Sequence, residues 1–147
     1  MSNQKVVLNN GRQATILNTN DQVFLWNRRS QKGLIDNAAG ITVEYQEGLV
    51  LGRIAATGKV VPCASGASDG SQFPCGVLIG GVSLAASTTS NVVYFCDDGD
   101  VAEEKLFFLS PSDTLNTVVS SRTMRDHLKL MGVKCIAATE LTGYDNF

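Results

Sequence analysis

The sequence predicts a mainly β fold with minor α (α+β), strands first and short helices last. Three observations predict it. Short apolar, β-branched runs recur between Gly, Asn, Asp and Ser clusters, the pattern of strands and turns. Cys75–Val82 (CGVLIGGV) is a nearly continuous apolar run, as expected of a strand covered on both faces. Helical spacing appears only near the end, where Met124, Leu128 and Met131 recur at i, i+4 and i+7.

Taken in order, Lys5–Leu8 and Arg12–Leu17 are apolar runs around Asn9-Asn10-Gly11, residues that tolerate the positive φ of a tight turn. Val23–Trp26 is a third short run, and the segment Asn27–Lys32 after it is polar. Ile41–Tyr45 alternates apolar and polar residues and predicts a half-buried strand. Gly48–Ala56 is the densest β signal. Thr57-Gly58-Lys59 turns the chain and Val60–Cys63 leaves as another strand. Ala64–Gln72 is small and polar, and is expected to be a loop, as is the Ser/Thr/Ala-rich segment Ser83–Ser90. Asn91–Cys96 predicts a further strand, closed by a turn at Asp97-Asp98-Gly99-Asp100.

Ser110-Pro111-Ser112-Asp113 offers a cap, a proline at the first helical position and an acidic first turn, so a helix is expected there. Ser120 or Ser121 is placed to cap a second helix, which Gly132 should stop. Lys134–Ala137 returns to an apolar, β-like segment. No internal repeat is visible. The simplest partition is a strand-like N-terminal arm over residues 1–40 and a β-rich body over residues 41–147.

A chain of 147 residues is about one domain long and buries roughly 70% of its unfolded surface, enough for a core without staples. Charged residues make up only 18% of it, below the usual roughly 25%, which suits a surface partly covered by partners. The net charge of −2 gives phosphate-driven nucleic-acid binding no electrostatic basis, and Arg28, Arg29 and Lys32 form only a small basic cluster. No apolar run approaches the roughly 18 residues of a membrane span, and the N-terminus lacks the apolar core of a signal peptide. The expectation is a cytosolic chain with neither nucleic-acid nor membrane partner.

Chemical motifs are few. Cys63, Cys75, Cys96 and Cys135 have no paired C-x-x-C spacing. A reducing cytosol favours free thiols, with Cys96 and Cys135 buried in apolar runs. Cys63 and Cys75 flank one loop, and a bridge across its base is the one exception weighed. The sole histidine, His127, lies in the second helix with no marked nucleophile and is expected to be a partly exposed helix residue. Asp97, Asp98, Asp100, Glu103 and Glu104 carry oxygen ligands of the kind Ca²⁺ takes, but the spacing of an EF-hand loop is absent. A solvated turn is the expectation. Gly80-Gly81 lies inside the apolar run rather than at a helix start, which fits a bulge or close strand approach and not a phosphate loop. No catalytic residue, metal or cofactor is expected. Leu106-Phe107-Phe108-Leu109 cannot all face one core from a surface element, so it is either fully buried or covered by another subunit.

From Gly48 to Phe108 the order of elements resembles the head decoration proteins of tailed bacteriophages. The residues that carry the resemblance are G-L-V-L-G-R-I at 48–54 and T-G-K at 57–59, then a polar loop ending in Asp69-Gly70-Ser71. The buried run G-V-L-I-G-G-V at 76–82, a Ser/Thr loop, N-V-V-Y-F at 91–95 and an acidic turn follow. The resemblance implies a compact, barrel- or tulip-like β-rich fold, without enzymatic activity. It implies a homotrimer on the outer surface of the expanded head, at three-fold and local three-fold positions, made and assembled in the host cytoplasm. There it would clamp the major capsid protein against the pressure of packaged DNA. Leu106, Phe107 and Phe108 are then expected at the trimer interface.

The family's mobile N-terminal arm is usually more polar than this one. Lys5, Val6, Val7, Leu8, Arg12, Ala14, Ile16 and Trp26 are the expected capsid contacts, added as a strand or hairpin to a capsid-protein edge. The other arrangement packs this arm on its own domain. Another virion surface module, such as a head fibre base or a host- or glycan-binding domain, is the alternative function.

Overall fold

The computed structural model describes residues 23–137. Strands β1 (Phe24–Asn37), β3 (Val50–Arg53), β4 (Val60–Pro62), β5 (Pro74–Leu78) and β7 (Thr88–Ala102) form the main sheet, in the order β1-β7-β5-β3-β4. All these neighbours are antiparallel. β10 (Val133–Ile136) joins the same sheet, parallel to the last residues of β7. The fold is therefore mainly β, as the strand-first pattern predicts.

Two smaller units cover the sheet. β2 (Val43–Tyr45) pairs with β6 (Val82–Leu84), and β8 (Val118–Val119) with β9 (Arg122–Thr123). Helix α1 (Met124–Met131) follows β9 directly and packs against β5 and β10. Its N-cap is Thr123, whose Oγ1 accepts from the Asp126 amide at 3.2 Å. Gly132 ends it in the left-handed region at φ 107°. Met124 and Leu128 are fully buried, whereas Met131, expected on the same face, is half exposed.

The core divides into two clusters. One gathers Val50, Val77 and Val101 with Met124, Leu128 and Val133, on the helix side. The other gathers Ile35, Leu49, Leu51, Leu78, Leu84 and Phe95, partly beneath the β2–β6 ribbon. Every residue of β5 is buried, which explains the unbroken apolar run in its sequence.

Several sequence expectations give way to long-range pairing. The polar segment 27–32 is the middle of β1. Its side chains at positions 28–32 are exposed, and the ladder to β7 holds it in place. Residues 24–37 form an edge strand of the main sheet. The acidic turn at residues 97–100 is likewise inside β7, where β1 and β10 flank it on opposite edges and Arg29 neutralises Asp97. Residues 83–90 are β6 and the start of β7, leaving only a short connection.

Residues 110–113 form turns rather than a helix, because the Asp113 carboxylate is buried against Ser65. Ser120 and Ser121 do not cap a helix; at φ 50° and 68° they make the tight turn between β8 and β9. Gly80, at φ 71°, turns the chain between β5 and β6 and is not a bulge.

The sheet curls without closing into a barrel. Its edge strands β1 and β4 touch, with the Gly33 backbone against Val60, but no ladder joins them among the described residues. Asp36 on β1 bridges this seam. It accepts from the Ser90 amide at 2.7 Å and from Lys59 Nζ at 3.0 and 2.9 Å. Those two donors, the amide first, hold its carboxyl below the usual aspartate range. A depressed folded-state value means a contribution present above about pH 4, the unfolded aspartate value, and lost as pH falls through the folded one. Asp36→Asn is therefore expected to lower stability at neutral pH and to flatten its fall in acid, measured by urea unfolding at pH 7 and pH 3. An unchanged slope would contradict the bridge.

Candidate functional site

The segment after β7 begins with a single 3-10 turn, Glu103–Lys105, and then runs extended across the edge of the core. It is tied down at its centre. The Phe107 amide donates to Gly48 O at 3.1 Å and Val50 N donates to Phe107 O at 3.0 Å, forming a parallel bridge beside Leu49. This extended backbone turns alternate side chains in opposite directions. Leu106 and Phe108 pack on the helix-side cluster, Phe107 on the other, and all three are half-buried. Leu109 stays 51% exposed. Two separate cores, rather than one, thus receive the apolar run that no single core accommodates.

Beside this run lies an open cleft of about 530 Å³, lined by Glu103, Leu106–Phe108, Leu115, Asn116 and Arg125 among others. Arg125 makes an ion pair with Glu103 and donates to Asn116 Oδ1 at 3.2 Å, holding α1 to the cleft floor. Asp113 on the facing turn accepts from the Ser65 amide at 2.9 Å and from Ser65 Oγ at 2.5 Å. That link fixes the loop 64–72 to residues 110–116. It was not legible in sequence, since a first-turn aspartate and a loop-anchoring aspartate look alike until the partner is known.

Asn37 is a second anchor of this kind. It is 5% exposed, and its Nδ2 donates towards Ile41 O, Leu84 O and Ala85 O while its Oδ1 accepts from the Ala39 amide. One side chain thereby joins the end of β1 to the end of β6. Across β1 and β7, Leu34, Val92 and Tyr94 share the outer face and are 36%, 46% and 52% exposed. They form an apolar strip that nothing among the described residues covers.

Of the expected capsid contacts, Lys5, Val6, Val7, Leu8, Arg12, Ala14 and Ile16 lie outside the described residues. Trp26 lies in β1, opposite Asp100 of β7. His127 is half-buried. Its Nε2–H donates to Val119 O at 2.8 Å and its ring meets Phe73 edge-on with centroids 5.3 Å apart, so it braces the hairpin onto the helix. Among the described residues no three His, Cys, Asp or Glu side chains gather as metal ligands would.

All four cysteines are free. Cys63 and Cys75 belong to different core clusters and form no bridge. Burial pushes the Cys63 thiol up to about 12 and those of Cys75 and Cys135 to about 11, and raises Cys96 too. Thiolate is the reactive form, so iodoacetamide at mildly alkaline pH should leave the folded chain unlabelled and modify all four thiols in urea, read by intact mass. Labelling of Cys63 at the rate of a free thiol would contradict this burial.

The curled open sheet, its two-sided core and its partly uncovered apolar edges define a β-rich α+β domain. Its described polar clusters brace the fold. The family model "Bacteriophage lambda head decoration protein D" matches residues 20–119, from just before β1 to the end of β8. The chain belongs to this family of bacteriophage head decoration proteins. It is accordingly a capsid decoration protein, a structural component of the virion. A comparison with curated proteins finds no match. β9, α1 and β10 lie beyond the matched residues, although α1 and β10 complete one of the two cores.

Proposed function

We propose that the chain is a capsid cement that binds the outer surface of the expanded phage head as trimers, at three-fold and local three-fold positions. Its partner is the major capsid protein, and its effect is to hold the shell against the pressure of packaged DNA. The protein is made and assembled in the host cytoplasm and acts by binding, without chemistry. The family match over residues 20–119 carries this reading.

Two contacts are assigned within it. The N-terminal arm, with Lys5, Val6, Val7, Leu8, Arg12, Ala14 and Ile16, continued by Trp26 on the edge strand β1, adds to an edge of the capsid protein through backbone hydrogen bonds, the usual source of affinity in strand addition. Leu106, Phe107 and Phe108 contribute to the trimer interface. The half-exposed Leu109 and the adjoining cleft support that assignment, since apolar surface left open in one chain is the kind a neighbour covers. Stabilisation follows by linkage: a ligand of the mature shell alone favours that shell by an amount set by affinity and free concentration.

The test mixes purified protein with undecorated expanded heads and follows co-sedimentation. Saturable binding, with a free form of three times the 15.7 kDa of one chain in sedimentation equilibrium, is the expected result. Absence of binding would overturn the reading.

A further inference from the structure

We propose that the seam between β1 and the β3–β4 turn is a binding site for a small oxyanion, a carboxylate or phosphate group. The failure of the sheet to close leaves a cleft there of about 260 Å³. Lys32 lines one wall, on β1; Arg53, Gly58 and Lys59 line the other. Three cationic side chains therefore share one small cleft.

Only one of them is neutralised by the fold. Lys59 pairs with Asp36 across the seam. Arg53 is half-buried, donates Nη1 to Gly58 O at 3.3 Å and stands over the Phe95 ring at 5.7 Å from its centroid, yet it makes no ion pair among the described residues. Lys32 makes none either. Arg29 and Arg125, by contrast, each have a carboxylate supplied by the chain, Asp97 and Glu103.

A guanidinium partly withdrawn from water without a counter-charge is an unfavourable arrangement that an anion relieves. Arg53 has further N–H donors beyond the one given to Gly58, in the planar fork that receives two oxygens of a carboxylate or phosphate together. Lys32 adds a point charge from the opposite wall. A cleft this small, in a chain of net charge −2, fits a single oxyanion group and not a nucleic-acid backbone. The inference rests on the seam alone and does not depend on capsid binding.

The experiment titrates the full chain at low ionic strength with inorganic phosphate and, separately, with acetate, reading backbone amide shifts by NMR. Saturable shifts confined to residues 32–34 and 53–59 are expected. Arg53→Gln should weaken binding at least about tenfold, the scale of one lost charge-assisted hydrogen bond, and Lys32→Gln should weaken it too. Lys129→Gln, on the exposed side of α1, should leave it unchanged. Lys32 is exposed, so its variant carries the test even where Arg53→Gln does not fold. Saturation by one anion alone supports the site and names the chemistry. Linear shifts spread over every Lys and Arg, or saturation that survives both substitutions, would overturn it.

Discussion

Replacing Gly52 with alanine should strongly destabilise the fold. Gly52 lies on β3 opposite Val61 and Pro74, beside a register shift in the ladder to β5. A Cβ there would sit 2.2 Å from Ser71 O, 2.8 Å from its carbonyl carbon and 2.9 Å from its Cα. All three are backbone atoms, and the loop that carries them has no slack. The Ser71 amide and Oγ both donate to Asp69 Oδ1, at 3.0 and 2.6 Å, and the Ala55 amide donates to Asp69 O at 2.8 Å. Overpacking of this kind costs on the order of 3 kcal/mol or more, against a total stability of about 5–15 kcal/mol. The urea midpoint of Gly52→Ala should therefore fall by a large fraction. Gly40→Ala, where an added Cβ meets nothing within 4 Å, should leave it in place. Equal midpoints for the two variants would mean that the β3–loop contact is not as close as described.

Deleting residues 1–20 should abolish binding to heads while leaving the body folded. Both core clusters gather described residues from Val23 onward, and the family match begins at residue 20. The truncated chain should retain the far-ultraviolet dichroism and cooperative unfolding of the whole one. Its loss of head binding should be complete at concentrations that saturate heads with full-length protein, because strand addition draws most of its affinity from the added backbone. A truncated protein that binds as well as the whole would move the capsid contact to the body. The strip of Leu34, Val92 and Tyr94 would then be the first surface to examine.

The contrast between these two variants follows the division between what was legible in the sequence and what was not. Signals written within a few residues were legible. The Gly48–Ala56 run became β3, Thr57-Gly58-Lys59 the turn to β4, the apolar run from Cys75 the buried β5, and Gly132 the helix stop. These depend on backbone freedom or continuous burial, which local composition reports. Features set by a distant partner were not legible. The polar half of β1 is a strand because β7 pairs with it, and Asp97 is tolerated in β7 because Arg29, 68 residues away, neutralises it. Asp113 was readable as a helix start until Ser65 appeared beside it. The same holds for the site. The run Leu106–Leu109 announced itself by its hydrophobicity, but its division between two cores did not. The cations Lys32 and Arg53 meet only because the sheet curls.

The measurement that tests the cement role most directly is the temperature at which undecorated expanded heads disrupt, recorded across a series of added protein concentrations. Linkage requires that temperature to rise once the free concentration passes the dissociation constant, and to keep rising with its logarithm. A rise of this form, with bound protein in whole trimers at saturation, is the expected result. Heads that disrupt at one temperature whatever the concentration, with the protein demonstrably folded, would contradict the role.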